Sequence, residues 1–330
     1  MSSTNKAIIN KKTAVICLAI ILWAAAAANF WRFLPPDPVI AQAVSLYTEI
    51  LQETTIVGID FSSLTTTLGS YAIKRSSENP VIAALMVRLF KDAGVSSGSV
   101  VAINASGSFP GFVLASLSAG VALEARIYVI ASIGSSTFGA NVPGNTIADM
   151  LLKDRVRELG FTWLAVTPGG SGDRGLELDV EELERIQQML QDNGIPFLRP
   201  ENLTEAIVLR ESLFNSAGST LLVNIGGGHA SIGNDEELAL MSGLLQPEPG
   251  KVFQEAGLVQ HFLMAGKPVI QILNVNRLYE SFGLSIDQSG NIIGASNLLH
   301  QQMQFSPLVT ILPVLALLVF LAVKRYAPPR

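Results

Sequence analysis

Five short apolar runs, at residues 100–105, 127–133, 162–167, 221–225 and 269–273, constrain this chain more than any other feature. Runs of this length, bounded by Gly- or Ser-rich turns, suit buried strands better than helices. Between them lie stretches with helical spacing, at 112–122, 147–159, 180–192, 203–215 and 253–265, and Gly94, Gly160, Gly194 and Gly266 fall where helix ends want a left-handed cap. The alternation predicts an α/β fold, a doubly wound and mainly parallel sheet with crossover helices, its strands apolar because both faces are covered. Ahead of it the spacing predicts a helix over 39–54, a hydroxyl-rich segment over 62–77 and, restarted by Asn79-Pro80, a helix over 81–93.

Two longer apolar runs stand at the ends. Residues 13–34 carry one charge, and residues 307–323 carry none and include Pro313. The first exceeds and the second approaches the ~20 residues that a helix needs to cross a bilayer, so both are expected to be transmembrane helices flanking a domain at 35–306. Lys6, Lys11 and Lys12 precede the first run, whereas Lys324, Arg325 and Arg330 follow the second. Such clusters stay on the cytoplasmic side, which leaves tails 1–12 and 324–330 inside the cytoplasmic membrane and the domain extracytoplasmic. The small residues Ala24 to Ala28 would suit cleavage of a signal peptide, which puts the domain on the same side.

The central region holds 15 basic and 27 acidic residues, a formal charge of −12, so it lacks the clustered cations of a nucleic-acid partner. The one cysteine, Cys17, lies in the first apolar run and leaves the domain without an intrachain disulfide. No histidine and carboxylate cluster has metal-ligand spacing, and no loop has the phosphate-binding or dinucleotide spacing, so neither a metal nor a cofactor is expected.

In parallel sheets ligands collect beyond the carboxyl ends of the strands. Four predicted strands end in small, polar loops, at 104–111, 132–136, 167–172 and 224–231. They predict one crevice lined by Asn104, Ser106, Ser108, Ser135, Gly170, Gly227 and His229, where amides and hydroxyls suit an anion. Ser108 sits at a strand-to-helix turn, and His229 is the histidine best placed to act as its base if the two converge, as nucleophilic catalysis requires. The bland alternative is a set of tight turns with an N-cap serine and a loop histidine.

The segment Thr65-Thr66-Thr67-Leu68-Gly69-Ser70 with Lys74-Arg75 and Asn79-Pro80, the turn Ser106-Gly107-Ser108-Phe109-Pro110-Gly111, and Asn224-Ile225-Gly226-Gly227-Gly228 together resemble the bacterial poly-γ-glutamate system protein family. The resemblance spans nearly the whole chain and includes the amino-terminal anchor. It implies an accessory membrane protein of poly-γ-glutamate (capsule) biosynthesis or export, with the bilayer and the other membrane proteins of that system as partners. An anionic polymer would be its ligand. No catalytic residues come with it, which leaves open a γ-glutamyl amide hydrolase or transferase using Ser108 and His229, or a structural scaffold. In its light Lys74 and Arg75 become candidate cations for a substrate with one carboxylate per residue.

Protease added to intact spheroplasts should digest the region 35–306. Survival of that region until the cells are lysed would reverse the orientation.

Overall fold

Asp37 starts the first helix of the domain: its side chain accepts the Val39 N–H at 2.9 Å, and Pro38 takes the first helical position, where an N–H has no partner to lose. The computed structural model describes Trp23 and residues 37–253 and 256–299. The predicted transmembrane runs at 13–34 and 307–323 lie outside the described residues, Trp23 apart. Among the described residues no helix is long and apolar enough to cross a membrane.

In chain order the principal elements are α1 (Pro38–Glu53), β1 (Thr65–Thr67), α2 (Tyr71–Ser76), α3 (Val81–Asp92), β2 (Val100–Ser106), α4 (Pro110–Ala122), β3 (Arg126–Ser132) and β4 (Ser135–Ser136). There follow β5 (Thr162–Thr167), α5 (Val180–Asp192), α6 (Leu203–Ser216), β6 (Leu221–Ile225), α7 (His229–Ile232), β7 (Gly243–Leu245), α8 (Leu258–Met264) and β8 (Val269–Ile272). The five predicted strands are thus β2, β3, β5, β6 and β8, each within one residue of its expected ends. They form one sheet in the order β5-β3-β2-β6-β8-β7, parallel throughout except for β7, which runs antiparallel on the edge. The predicted mainly parallel α/β sheet is therefore present; the edge strand β7 is an addition that the apolar pattern did not announce.

Side chains on each strand alternate between two packed layers. Val101, Ile103 and Ala105 of β2 join Val223, Ile225, Ile270 and Ile272 in the larger core, under α1, α3, α4 and α5. Ala102, Ile130, Ala165, Leu222 and Val269 face the other way, toward Phe214 of α6 and Leu258 and Phe262 of α8. α4 is buried nearly all round, which explains why its sequence is apolar on every side.

Two helix expectations need correction. The stretch 147–159 is broken into Ile147–Leu151 and Asp154–Arg157, with Lys153 extended between them. A continuous helix would hold Leu151 and Val156 about 140° apart; the extended residue resets the phase, and both are fully buried. The helix expected over 253–265 is shorter, starting at Leu258 after Gly257, whose α-carbon packs against the Ile232 backbone so closely that a β-carbon there would stand 2.7 Å from the Ile232 carbonyl carbon.

The hydroxyl-rich segment turns out to be a second, two-stranded layer. β1 pairs in parallel with β4, so Thr65–Thr67 is carried to the loop that leaves β3. Ser70 then caps α2 and sends Lys74 back toward the carboxyl edge of the main sheet.

Candidate functional site

On the sheet face covered by α6 and α8, apolar side chains give way to polar ones as the strands approach their carboxyl ends. Thr167 of β5, Ser132 of β3, Asn104 of β2, Asn224 of β6 and Gln271 of β8 all continue the inward series of the second core. Asn104, Asn224 and Gln271 occupy one register row across three adjacent strands. Asn104 Nδ2 donates to Asn224 Oδ1 at 2.7 Å, and Asn224 Nδ2 donates to Gln271 Oε1 at 2.7 Å and to the Gly226 carbonyl at 2.9 Å.

Arg210 closes this row from above. It stands on the buried stripe of α6 with Ala206, Ile207 and Phe214, and is only 3% exposed. Its guanidinium grips Asp173 with two hydrogen bonds, Nη1 to Oδ2 at 2.5 Å and Nη2 to Oδ1 at 2.9 Å. It also donates to Thr167 Oγ1 (2.7 Å), Ser132 Oγ (2.9 Å), the Ala206 carbonyl (3.2 Å) and Asn104 Oδ1 (3.3 Å). A buried guanidinium is tolerated only when its charge is matched and its donors are used, and here both conditions hold. Asp173 reaches it from a loop with φ of +65°, a left-handed conformation that aspartate tolerates better than most residues.

Above this layer lies a crevice of about 630 Å³. It sits where β2 and β6 are neighbours and the chain leaves them in opposite directions along the sheet, the switch point at which such sheets bind ligands. Gly226, with φ of +108°, ends β6 there; a β-carbon on it would stand 3.0 Å from Ser106 Cβ, so the two strand-end loops meet only because residue 226 has no side chain.

Ser106, Ser108, Gly170, Gly227 and His229 line the crevice, and so does Lys74. Asn104 and Ser135 do not. Asn104 is buried beneath it in the polar row, and Ser135 is buried behind it, donating to the Gly107 carbonyl at 2.9 Å. Arg75 is also displaced: neighbours on a helix point about 100° apart, and Arg75 is exposed and paired with Glu78 while Lys74 turns inward. Ser108 and His229 share the crevice wall, yet no hydrogen bond joins them. Ser108 Oγ accepts the Ser136 N–H (3.0 Å), and His229 Nδ1 accepts the Gly172 N–H (3.3 Å).

Arg210, Asp173, Ser136 and the Thr66 to Ser70 stretch also line the crevice and were not among the residues expected there. Arg210 had a legible signal, since it falls at helical spacing with Ala206, Ile207 and Phe214, and a cation on such a stripe demands a buried acid.

Lys74 differs from Arg210. It is 3% exposed and, among the described residues, has no carboxylate partner; its Nζ donates to the Ser108 carbonyl and lies 3.4 Å from the centre of the Phe109 ring. Burial is the cause that pulls its pKa down from 10.5 to about 7, because the apolar surroundings penalise the ammonium more than one carbonyl and one ring face restore it.

No family model and no curated protein matches the chain. Among solved structures it is similar to O-ureido-L-serine synthase (11% identity, TM-score 0.20, 73% of this chain and 83% of that one). It is also similar to a hydrogen sulfide-producing enzyme from Fusobacterium nucleatum (10%, TM-score 0.21, 72% and 84%) and to diaminopropionate ammonia lyase from Escherichia coli (10%, TM-score 0.18, 59% and 55%). Likeness this low carries no information about function.

Two outcomes follow from the charges. Asp173→Asn leaves the Arg210 charge buried and unmatched, so it should cost about 3–5 kcal/mol of stability, while Asp173→Asn combined with Arg210→Met should recover much of that loss; thermal unfolding of the full-length chain measures both. For Lys74 the unfolded chain holds a proton between pH 7 and 10.5 that the folded chain has released. Stability should therefore rise with pH across that window, by up to about 1.4 kcal/mol per pH unit, and the cost of burying the charge is fully present below it. Lys74→Met should flatten this component and be the more stable protein at acid pH.

Proposed function

We propose that the domain binds a carboxylate-bearing ligand in the strand-end crevice and serves as a membrane-anchored accessory protein of bacterial poly-γ-glutamate production or export, facing outward from the cytoplasmic membrane. The observation that carries this reading is Lys74, a cation at the crevice wall with no acid of its own among the described residues. The other cation there, Arg210, is already matched by Asp173. Besides apolar side chains and the Glu177 carboxylate, the wall carries hydroxyls and glycine backbone, which hydrogen-bond carboxylates without adding formal charge. The family resemblance supplies the polymer and the pathway.

A polymer with one carboxylate per residue meets a domain of net charge −12, so long-range repulsion opposes its capture and the local cation must offset it. Moderate salt should then improve affinity by screening the repulsion, unless the Lys74 contact dominates. Because the ammonium form makes the contact, affinity should fall as pH rises through about 7.

Calorimetric titration of the full-length protein in detergent with γ-linked oligoglutamate, against α-linked oligoglutamate, tests the reading. Lys74→Met should weaken binding about tenfold, in keeping with ~1.5 kcal/mol for a hydrogen bond to a charged group, while Arg75→Ala, at an exposed side chain that pairs with Glu78 outside the crevice, should change little. Equal affinity for both linkages would sink the polymer assignment. Hydrolysis of the γ-linked probe that is lost in Ser108→Ala would instead mark a γ-glutamyl hydrolase or transferase, and absence of any binding would favour a scaffold.

A further inference from the structure

Among the described residues, two polar side chains in the crevice lack the partners that their burial calls for. Lys74 has a carbonyl and a ring face but no counter-ion among the described residues. Ser136, also 3% exposed, has an Oγ with no hydrogen-bond partner among the described residues. The two converge: a β-carbon built on Gly69 would stand 2.8 Å from Ser136 Oγ and 3.2 Å from Lys74 Cε, so the small residue at 69 keeps open a niche bordered by both. The exposed amides of Gly227 and Gly228, elsewhere on the wall, donate to no described residue.

A lysine needed only for charge would extend its stem to water, and the four methylenes of this one are long enough to do so. Here the amine is held inside, against the Phe109 ring and the Ser108 carbonyl. That is the setting of a nucleophilic amine, whose reactivity depends on the neutral form. With a pKa of about 7, about half of the Lys74 side chains are neutral at neutral pH, against fewer than roughly one in a thousand for an ordinary lysine.

We infer that Lys74 is an imine-forming residue, and that the crevice takes a small aldehyde or α-keto compound carrying a phosphate or carboxylate. The Nζ lone pair attacks the carbonyl carbon and forms the C–N bond of a carbinolamine. Its hydroxyl, the former carbonyl oxygen, leaves as water with one proton from outside, and a proton lost from nitrogen restores the balance; the product is the C=N bond, and nothing is oxidised or reduced. Ser136 Oγ, on the other side of the niche kept open by Gly69, is a donor available to the carbinolamine oxygen, and the free amides of Gly227 and Gly228 are available to the anionic group. This step goes beyond ligand binding and holds whether or not the crevice also accepts a glutamate polymer.

The full-length protein should be incubated near neutral pH with pyridoxal 5′-phosphate, an aldehyde with a phosphate, and separately with 2-oxoglutarate, an α-keto acid. Reduction with borohydride fixes any imine as a secondary amine, and peptide mass mapping finds the lysine. Modification by at least one probe should concentrate on Lys74, several-fold above exposed lysines such as Lys91 and Lys251, and the probe that labels identifies which class the crevice prefers. Lys74→Arg, which keeps the charge, should lose the label; because the site is mapped in the natural protein, the result does not depend on how that variant folds. Labelling spread evenly over exposed lysines, or an unmodified Lys74 with both probes, overturns the inference. Oligoglutamate binding measured in parallel separates the two readings, since either can succeed while the other fails.

Discussion

The arrangement of the crevice depends on one buried ion pair. Arg210 and Asp173 are both almost without solvent, and the guanidinium spends its donors on the ends of three strands, its own helix and the loop after β5. Desolvating two charges is expensive, and only dense hydrogen bonding makes such a pair tolerable. The dependence also runs the other way. Because Arg210 cannot be left unmatched, α6 must lie with its buried stripe over the polar row, and the loop carrying Asp173 must fold back under the crevice in a left-handed turn. An apolar core at that place would be as stable or more so, but it would leave the strand ends without a rigid polar floor.

Lys74 stands against this background as the opposite choice. One cation of the crevice is satisfied by the protein, and the other is buried with no acid among the described residues. The first acts as structure. The second costs stability at neutral pH and below, and a cost of that kind persists at sites where a ligand completes what folding leaves unmatched. The Ser136 hydroxyl across the Gly69 niche, without a partner among the described residues, has the same character.

Much of the architecture was legible because local periodicity is a property of the backbone. Runs such as 162–167 and 221–225 became strands with the same limits, and the helix over 180–192 did likewise, with Asp179 capping it. Errors arose where packing overrode local pattern. The stretch 147–159 has helical composition throughout, yet burying both Leu151 and Val156 required a break at Lys153. In the site, glycine- and serine-rich strand ends pointed to the correct edge of the sheet, since parallel strands bring their carboxyl ends together. Which of those residues would face the crevice was not readable, and Asn104 fell beneath it and Ser135 behind it.

The amino-acid sequence by itself determined the kinds and order of the elements, the parallel sheet and the edge on which the crevice would form, because each follows from periods of two or 3.6 residues and from short connections. The tertiary structure alone decided which side chains meet. Arg210 finds Asp173 across 37 residues, and Asn104 finds Asn224 across 120, through strand order and register that no local pattern encodes. It also decided between adjacent Lys74 and Arg75: the 100° step between neighbours on a six-residue helix, placed by the pairing of β1 with β4, buries the Lys74 amine in the crevice and leaves the Arg75 guanidinium in water.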